Sequence, residues 1–565
     1  MNSKKLPILI SVALALVLFL WNSQKHPGVE DFNEGTGRNP SSEHSSYDVL
    51  LKKLSLRVTR ANLHAHHFMG GNPPKGQESS AAFYGPGACP SYRGFPEDDG
   101  RPCRDDDTGT DRFITAPFPE SVSTEEERML SYFRAACDYA REKGKLDALF
   151  ISMHTKSGDD PDTDTKLEGF QKRQKLLKEI NRAYGGKFFC GLAQEASSIS
   201  SGNHVNIFGH LSQELETPKV RPFYFAPGDF NALYSQLSDR AKGGEKIVLQ
   251  MNHPNVKSDL WWGSLAGKKA KDVKELLNDY GLDDFAPVGC IIKSALAALG
   301  KDVKAPQGCD SVRATEITGA LLKETLAKVR EAAGDRFRLI EVVSPGGATE
   351  NPEEKFRPVH RRAETGDEAP SGVYDWVFYL ANGFKLAPAA NQDNHHFNYG
   401  TATASRTGLL LDASAGLNEK SILDALDSRR TFASEDVNAE GFSYAVDRVE
   451  PSKAHLMGEE FATSSAEVML RVGYKDPDVN DAEASIRVYH ASDKDEFDFG
   501  YKADRGKTLR ALPIGANGSD SAAIRSDKVA SIKVPVAKGS QWLFVEISQK
   551  NDLDRLWLAP VWITR

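Results

Sequence analysis

Positive charge is not in excess in this 565-residue chain: 71 Lys+Arg stand against 79 Asp+Glu, a net charge of −8. No basic field is available to draw in a polyanion, so no nucleic-acid partner is expected. Cysteine is sparse, six residues in all, which excludes a small disulfide scaffold. Long apolar runs are missing beyond the N-terminus, and there are no heptads, no Gly-X-Y period and no solenoid repeat. These gaps exclude a polytopic membrane protein, a coiled coil, collagen and a repeat array. What is there is globular composition, 40% hydrophobic and 27% charged. At roughly 100–200 residues per domain, the length suits two to four domains.

The single long apolar run, Leu6–Trp21, follows Lys4 and Lys5, as the charged and apolar regions of an export signal do. It is at the short end for a spanning helix, which needs about 17–25 residues. Asn22-Ser23-Gln24-Lys25 offers neither a small-x-small cleavage site nor a lipidated cysteine. An uncleaved anchor is therefore favoured over a cleaved signal, with the rest of the chain outside. Residues 1–22 are expected to be this signal or anchor, the only membrane contact, and 23–54 a polar tether. Export makes the cysteines disulfide candidates. Cys89 with Cys103, and Cys290 with Cys309, flank loop-like stretches and suit local staples. Cys137 on an apolar helix face and Cys190 in an apolar strand read as buried thiols.

From 55 to 440 strand and helix patterns alternate. Leu56–Thr59 runs toward His64, a helix opens near Ser123 with Glu126 and Glu127 in capping-box position, and a strand spans Leu146–Met153. Further strand patterns end near Leu192, Met251, Val343 and Asn391. Repeated strand–helix units predict a parallel sheet, and so many of them favour a closed β/α barrel, with insertions over 68–122 and 255–315 walling its mouth. After 440 the helical period disappears. Val468–Val472, Ile486–Tyr489, Ile532–Val536 and Trp542–Ile547 are short strands between turn residues, which predicts an all-β sandwich over 441–565.

The 14 histidines are not spread evenly. His64-Ala65-His66 closes the first strand, and residues two apart on a strand face the same way. Alone an H-x-H is weak. Here it is joined by His154 ending strand two, Glu195 ending strand three, His204 opening the next segment, His253 in Asn252-His253-Pro254, and Asp393 with His395 after the last strand. In a β/α barrel that end of the strands carries the active site. Convergent His, Asp and Glu side chains are ligands for Zn²⁺, Mn²⁺ or Fe²⁺, and a bridging carboxylate lets two ions sit about 3.5–4 Å apart.

The ordered set H-x-H, His, Glu, His, His-Pro and Asp-x-His resembles the PHP (polymerase and histidinol phosphatase) superfamily, nearest its CehA/McbA, carbaryl-hydrolase type. Ile340-Glu341-Val342, Gly400–Arg406 with Leu409–Leu411, and Ala425–Phe432 resemble further strands of that family. The resemblance implies a distorted seven-stranded β/α barrel, here followed by the sandwich domain. It implies that His64, His66, Glu195 and Asp393 hold one metal ion and that Glu195 bridges to a second on His253 and His204. His154 and His395 would then form a third position or a proton relay. Ser152-Met153-His154 lacks the family's aspartate before its histidine, and Phe68–Asn72 lacks its "SDG" segment; both departures argue for two ions rather than three. An exported hydrolase acting on a small phosphate, carboxylic or carbamate ester follows, with Asp393 or His395 assisting proton transfer and Arg406 holding an anionic group.

Other features weigh less. Asp105–Asp111 and Asp160–Asp164 are out of register for an EF-hand. His67, His210 and His396 adjoin the clusters, but strand alternation turns some of them away, and they stay outside the expected ligand set. An amidohydrolase-like metalloenzyme also begins with H-x-H, but it wants a bridging lysine where this chain has Glu195. A catalytically inactive anchored binding protein is the non-enzymatic alternative.

Overall fold

The computed structural model describes residues 46–66, 125–155, 167–196, 204–211, 223, 230–254, 330–331, 333–343, 371–394, 399–401, 403–478, 482–492, 510–514 and 518–565. Strand and helix alternate first. In chain order these are α1 Tyr47–Lys53, β1 Leu56–His66, α2 Glu125–Glu142, β2 Ala148–Thr155, α3 Leu167–Tyr184, β3 Phe189–Ala196, β4 His204–Phe208, α4 Phe230–Lys242, β5 Val248–Asn252, β6 Phe337–Val343, α5 Ser371–Ala381, β7 Ala387–Ala390, β8 Arg406–Asp412, α6 Glu419–Asp427 and β9 Thr431–Ser434. Only strands follow: β10 Glu440–Asp447, β11 Ala454–Leu456, β12 Glu460–Ala462, β13 Glu467–Lys475, β14 Glu483–Ser492, β15 Arg510–Ala511, β16 Ala522–Arg525, β17 Lys528–Pro535, β18 Ser540–Gln549, β19 Arg555–Leu558 and β20 Val561–Thr564.

These elements do not make the expected closed seven-stranded β/α barrel followed by a separate sandwich. The chain is strand-rich, and its strands join into one curled mixed sheet of 16, a half-barrel, ordered β12-β20-β18-β19-β9-β8-β1-β2-β3-β4-β5-β6-β7 with β14, β15 and β16 branching from β18. Four strands, β11-β10-β13-β17, form a second sheet. Two local causes account for the difference. Only residues 197–203 separate β3 from β4, fewer than the dozen or so needed to cross over to a parallel neighbour, so β4 runs antiparallel to both β3 and β5. At the other side β9 pairs with β19, Phe432 opposite Leu558 and Ser434 opposite Leu556. The sheet therefore runs on into the C-terminal strands instead of closing on β7. Past β7 the chain is tied back to β1 by the bridge Ala65–Asn394 and by the backbone bonds from His66 N to Asn394 O and from Asp393 N to His64 O.

The parallel part, β1-β2-β3 and β5-β6-β7, bears most of the clustered His, Glu and Asp side chains. Its concave side is floored by Phe150, Phe189, Phe208, Val248 and Leu339, all buried; such side chains contribute about 1.5–3 kcal/mol each. The floor leaves no space at Gly191, where a Cβ would sit 2.6 Å from the Phe150 ring and 2.8 Å from that of Phe189. On the convex side α2 and α3 bury Phe133, Ala140, Leu177 and Ile180 against Leu149, Ile151 and Leu192 of the sheet. Cys137 of α2 and Cys190 of β3 are joined there by a disulfide, not left as the two thiols expected. The helix stripe and the strand face pack against each other, which brings the two sulfurs together. The staples expected at Cys89/Cys103 and Cys290/Cys309, the segment 1–22 and most of the tether lie outside the described residues. No helix among the described residues is long and apolar enough to cross a membrane.

Candidate metal centre

The concave face is layered. Above the apolar floor lies a belt of buried amides, Asn62, Asn206, Gln250, Asn252 and Asn391. Above the belt lie the ionisable side chains. On β1 strand alternation produces the layers, with Asn62, His64 and His66 spaced by two; past β7 the left-handed turn at Asp393 sets its side chain above Asn391. The amides stitch the layer beneath the site together. Asn62 Nδ2 donates to Asn394 Oδ1 at 2.7 Å, Asn391 Oδ1 accepts from Leu63 N at 2.8 Å, and Asn206 Nδ2 donates to Leu63 O at 3.1 Å.

His64 and His66 meet at the centre with their Nε2 atoms 2.9 Å apart. The other nitrogen of each ring faces an atom that only accepts. His64 Nδ1 lies 2.9 Å from Glu341 Oε1, and His66 Nδ1 3.1 Å from the Ser152 carbonyl. Nδ1 is therefore the donor in each ring, so that a ring with no second proton presents its lone pair at Nε2. Carboxylate oxygens close in on the same point. Asp393 Oδ1 is 3.2 Å from His64 Nε2 and 2.9 Å from His66 Nε2. Glu195 offers Oε1 at 3.2 Å to the first ring and Oε2 at 3.3 Å to the second. Ligands about 2.0–2.1 Å from a shared ion stand about 2.9 Å apart at right angles and about 3.3 Å apart at tetrahedral angles. The donor set has the size and chemistry of a site for one cation, and its outward ring N–H contacts are those that orient metal-bound histidines.

A second grouping shares Glu195. His204 Nδ1 lies 3.0 Å and His253 Nε2 3.6 Å from Glu195 Oε1, and Asn252 Nδ2 donates to the same oxygen at 2.9 Å. His64, His66 and Glu195 form one set of ligand atoms within 4.8 Å of each other, His64, His253 and Asp393 another, and Glu195, His204 and His253 a third. Depth differs between them: the His64 side chain is fully buried, whereas those of His204 and His253 are 20% and 16% exposed. The second grouping is the more exposed of the two. His253 and Asp393 also hold left-handed backbone, φ 27° and 46°, the kind of strain that persists where surroundings over-determine it. Each is pinned by its own N–H, His253 to Glu341 Oε2 at 2.5 Å and Asp393 to the His64 carbonyl at 2.9 Å.

The field is strongly negative. Burial alone pushes the His64 pKa down, but the carboxylates of Asp393, Glu341 and Glu195 outweigh it and hold the ring well above its ordinary value. His253 behaves likewise: burial lowers it, Glu195, Asp393 and Glu341 raise it, and the result is about 9. A site that raises histidine pKa values in this way attracts cations of any kind, protons included.

Six of the residues singled out from the sequence, His64, His66, Glu195, His204, His253 and Asp393, thus come together. The backbone of His154 sits in β2 opposite Glu195 in register, and His395 lies outside the described residues. Arg406 is buried, and its guanidinium donates to the carbonyls of Thr403 (2.9 Å), Ser405 (2.7 Å), Gly144 (3.1 Å) and Gly400 (2.5 Å). It clamps the loop between Asp393 and β8, which is a different task from holding a substrate anion. His210, set aside from the sequence, bonds Gln194 Oε1 through Nε2 at 2.8 Å and takes no part. Sequence reasoning overlooked Glu341 as the partner of His64, and Asn252 as the partner of Glu195. Asn252 directly precedes the ligand His253, which is a signal for it; Glu341 has no ligand beside it in sequence. No protein-family model and no curated protein matches the chain.

Proposed function

We propose that this protein is a metal-dependent hydrolase of small esters, with one divalent ion held by His64, His66, Glu195 and Asp393 and a second by Glu195, His204 and His253. The observation that carries this reading is the meeting of two imidazole Nε2 atoms at 2.9 Å, with two carboxylates around them. Without a metal ion or a proton between them, these groups repel. Mixed nitrogen and carboxylate donors suit Zn²⁺, Mn²⁺ or Fe²⁺ better than Ca²⁺ or Mg²⁺. Ions bound there would supply Lewis acidity, acidifying water and polarising a P=O or C=O bond. The chain's own part is positional. Glu195 reaches both groupings, Asn252 fixes its rotamer, and His204 with His253 lines the side open to substrate. The order of ligands along the chain is the part of the PHP resemblance that supports this reading. A disulfide between Cys137 and Cys190, with the charged and apolar start of the chain, supports an exported enzyme.

The test is a screen of the full chain against nitrophenyl phosphate, bis(nitrophenyl) phosphate, nitrophenyl acetate and an aryl carbamate. At least one should be hydrolysed, with activity lost to a chelator, restored by metal and abolished in Asp393→Asn. Tight metal binding with no turnover of any of the four would leave a binding protein and overturn the hydrolase reading.

A further inference from the structure

Glu341 is fully buried on β6 and belongs to neither ligand set, yet both depend on it. Its Oε1 accepts from His64 Nδ1 at 2.9 Å, Asn391 Nδ2 at 3.0 Å and Gln250 Nε2 at 3.4 Å. Its Oε2 accepts from the backbone N–H of His253 at 2.5 Å. One oxygen therefore orients the ring of a ligand in the deep position. The other holds the left-handed backbone of a ligand in the open position. We propose that Glu341 is a positioning residue that couples the two ion positions, an inference that rests on the two-ion reading above.

Four N–H groups converge on this side chain, so only a group with two accepting oxygens satisfies them all. An amide of the same shape has one. With its oxygen in place of Oε1, its NH₂ meets the N–H of His253 and the open position loses its anchor. The deep position weakens as well, because a neutral acceptor makes the His64 ring a poorer donor to an ion than a carboxylate does. With the amide reversed, the NH₂ faces three donors and His64 must turn. Either way the effect reaches both positions through a residue that touches neither ion. Shortening to aspartate keeps the charge but not the span between His64 and His253.

The experiment measures Zn²⁺ and Co²⁺ affinities of the full chain by competition with a chromogenic chelator. It adds the visible spectrum of the Co²⁺ form and near-ultraviolet circular dichroism of the metal-free protein. In Glu341→Gln the fold signal should be unchanged. Both ions should bind about 10–100-fold more weakly, the usual range for outer partners of metal ligands, with an altered Co²⁺ spectrum. An ion held as tightly as in the wild type at either position would overturn the coupling. Should the Gln variant not fold, Glu341→Asp decides: at least tenfold weakening of one ion is expected, and wild-type affinity for both refutes the proposal. A wild-type chain that binds no ion at all would instead fail the underlying two-ion reading.

Discussion

Replacing Arg406 with methionine separates two accounts of that residue. The side chain is nearly inaccessible and its guanidinium donates to four backbone carbonyls. A buried polar group left without its partner costs about 1–3 kcal/mol, so losing all four bonds costs up to about 4–12 kcal/mol. Part of that is returned, because burying the charge is itself unfavourable. Burial, with Arg60 adding to it, pushes the Arg406 pKa down to about 10, a shift from its ordinary 12.5 worth about 3 kcal/mol. A net loss of about 4 kcal/mol is expected, in the range for breaking a buried charged contact. The damage should spread to the site. Gly144 and Gly400 pack so closely that a Cβ on Gly144 would lie 2.3 Å from the Tyr399 carbonyl, and the Tyr399 hydroxyl donates to the His66 carbonyl at 3.0 Å. Urea unfolding of the wild type and Arg406→Met, with metal affinity measured on both, is the assay. A stability change under about 1 kcal/mol with an intact metal site would refute the clamp; a raised KM alone would point back to an anion-binding arginine.

Four further outcomes follow from the structure. Metal binding at pH 7.5 should release about two protons per chain, from His64 and His253, read as the dependence of calorimetric heat on buffer ionisation enthalpy. An equal heat in every buffer would contradict it. In the metal-free protein the raised pKa of His253 supplies stability in full below its ordinary 6.5, lost as pH rises through about 9. Melting temperature should therefore fall across that window, while metal affinity rises. Cys137→Ser should lower stability by about 4 kcal/mol for the 53-residue separation it closes, with reductant reproducing the effect on the wild type and not on the variant. Gly191→Ala should cost about 1–3 kcal/mol by driving the Phe150 and Phe189 rings apart; an unchanged unfolding midpoint would show that the floor has slack.

The site was more legible in the sequence than the fold. Histidine, glutamate and aspartate at strand ends reveal themselves by spacing: His64 and His66 two apart must share a face, and Glu195 and His253 sit where strand patterns end. Topology is set by contacts far apart in sequence. Nothing in Thr431–Ser434 says that it will pair with Arg555–Leu558, and the antiparallel course of β4 depends on the brevity of 197–203 rather than on any residue within the strand. The carbonyl contacts of Arg406 were not legible, because an arginine at a strand mouth looks the same in sequence whether its partners are a substrate or four carbonyls. Cys137 and Cys190 looked like ordinary apolar positions because a disulfide inside a helix–sheet interface leaves no loop-like flanks.

The central claim is that buried lone pairs at the head of β1 enclose metal. Equilibrium dialysis of the full chain against Zn²⁺, followed by elemental analysis, should find two ions per wild-type chain and fewer than one in His64→Ala, whose ring belongs to two of the three ligand sets. Less than one tightly held ion in the wild type, or an undiminished count in the variant, would contradict the account.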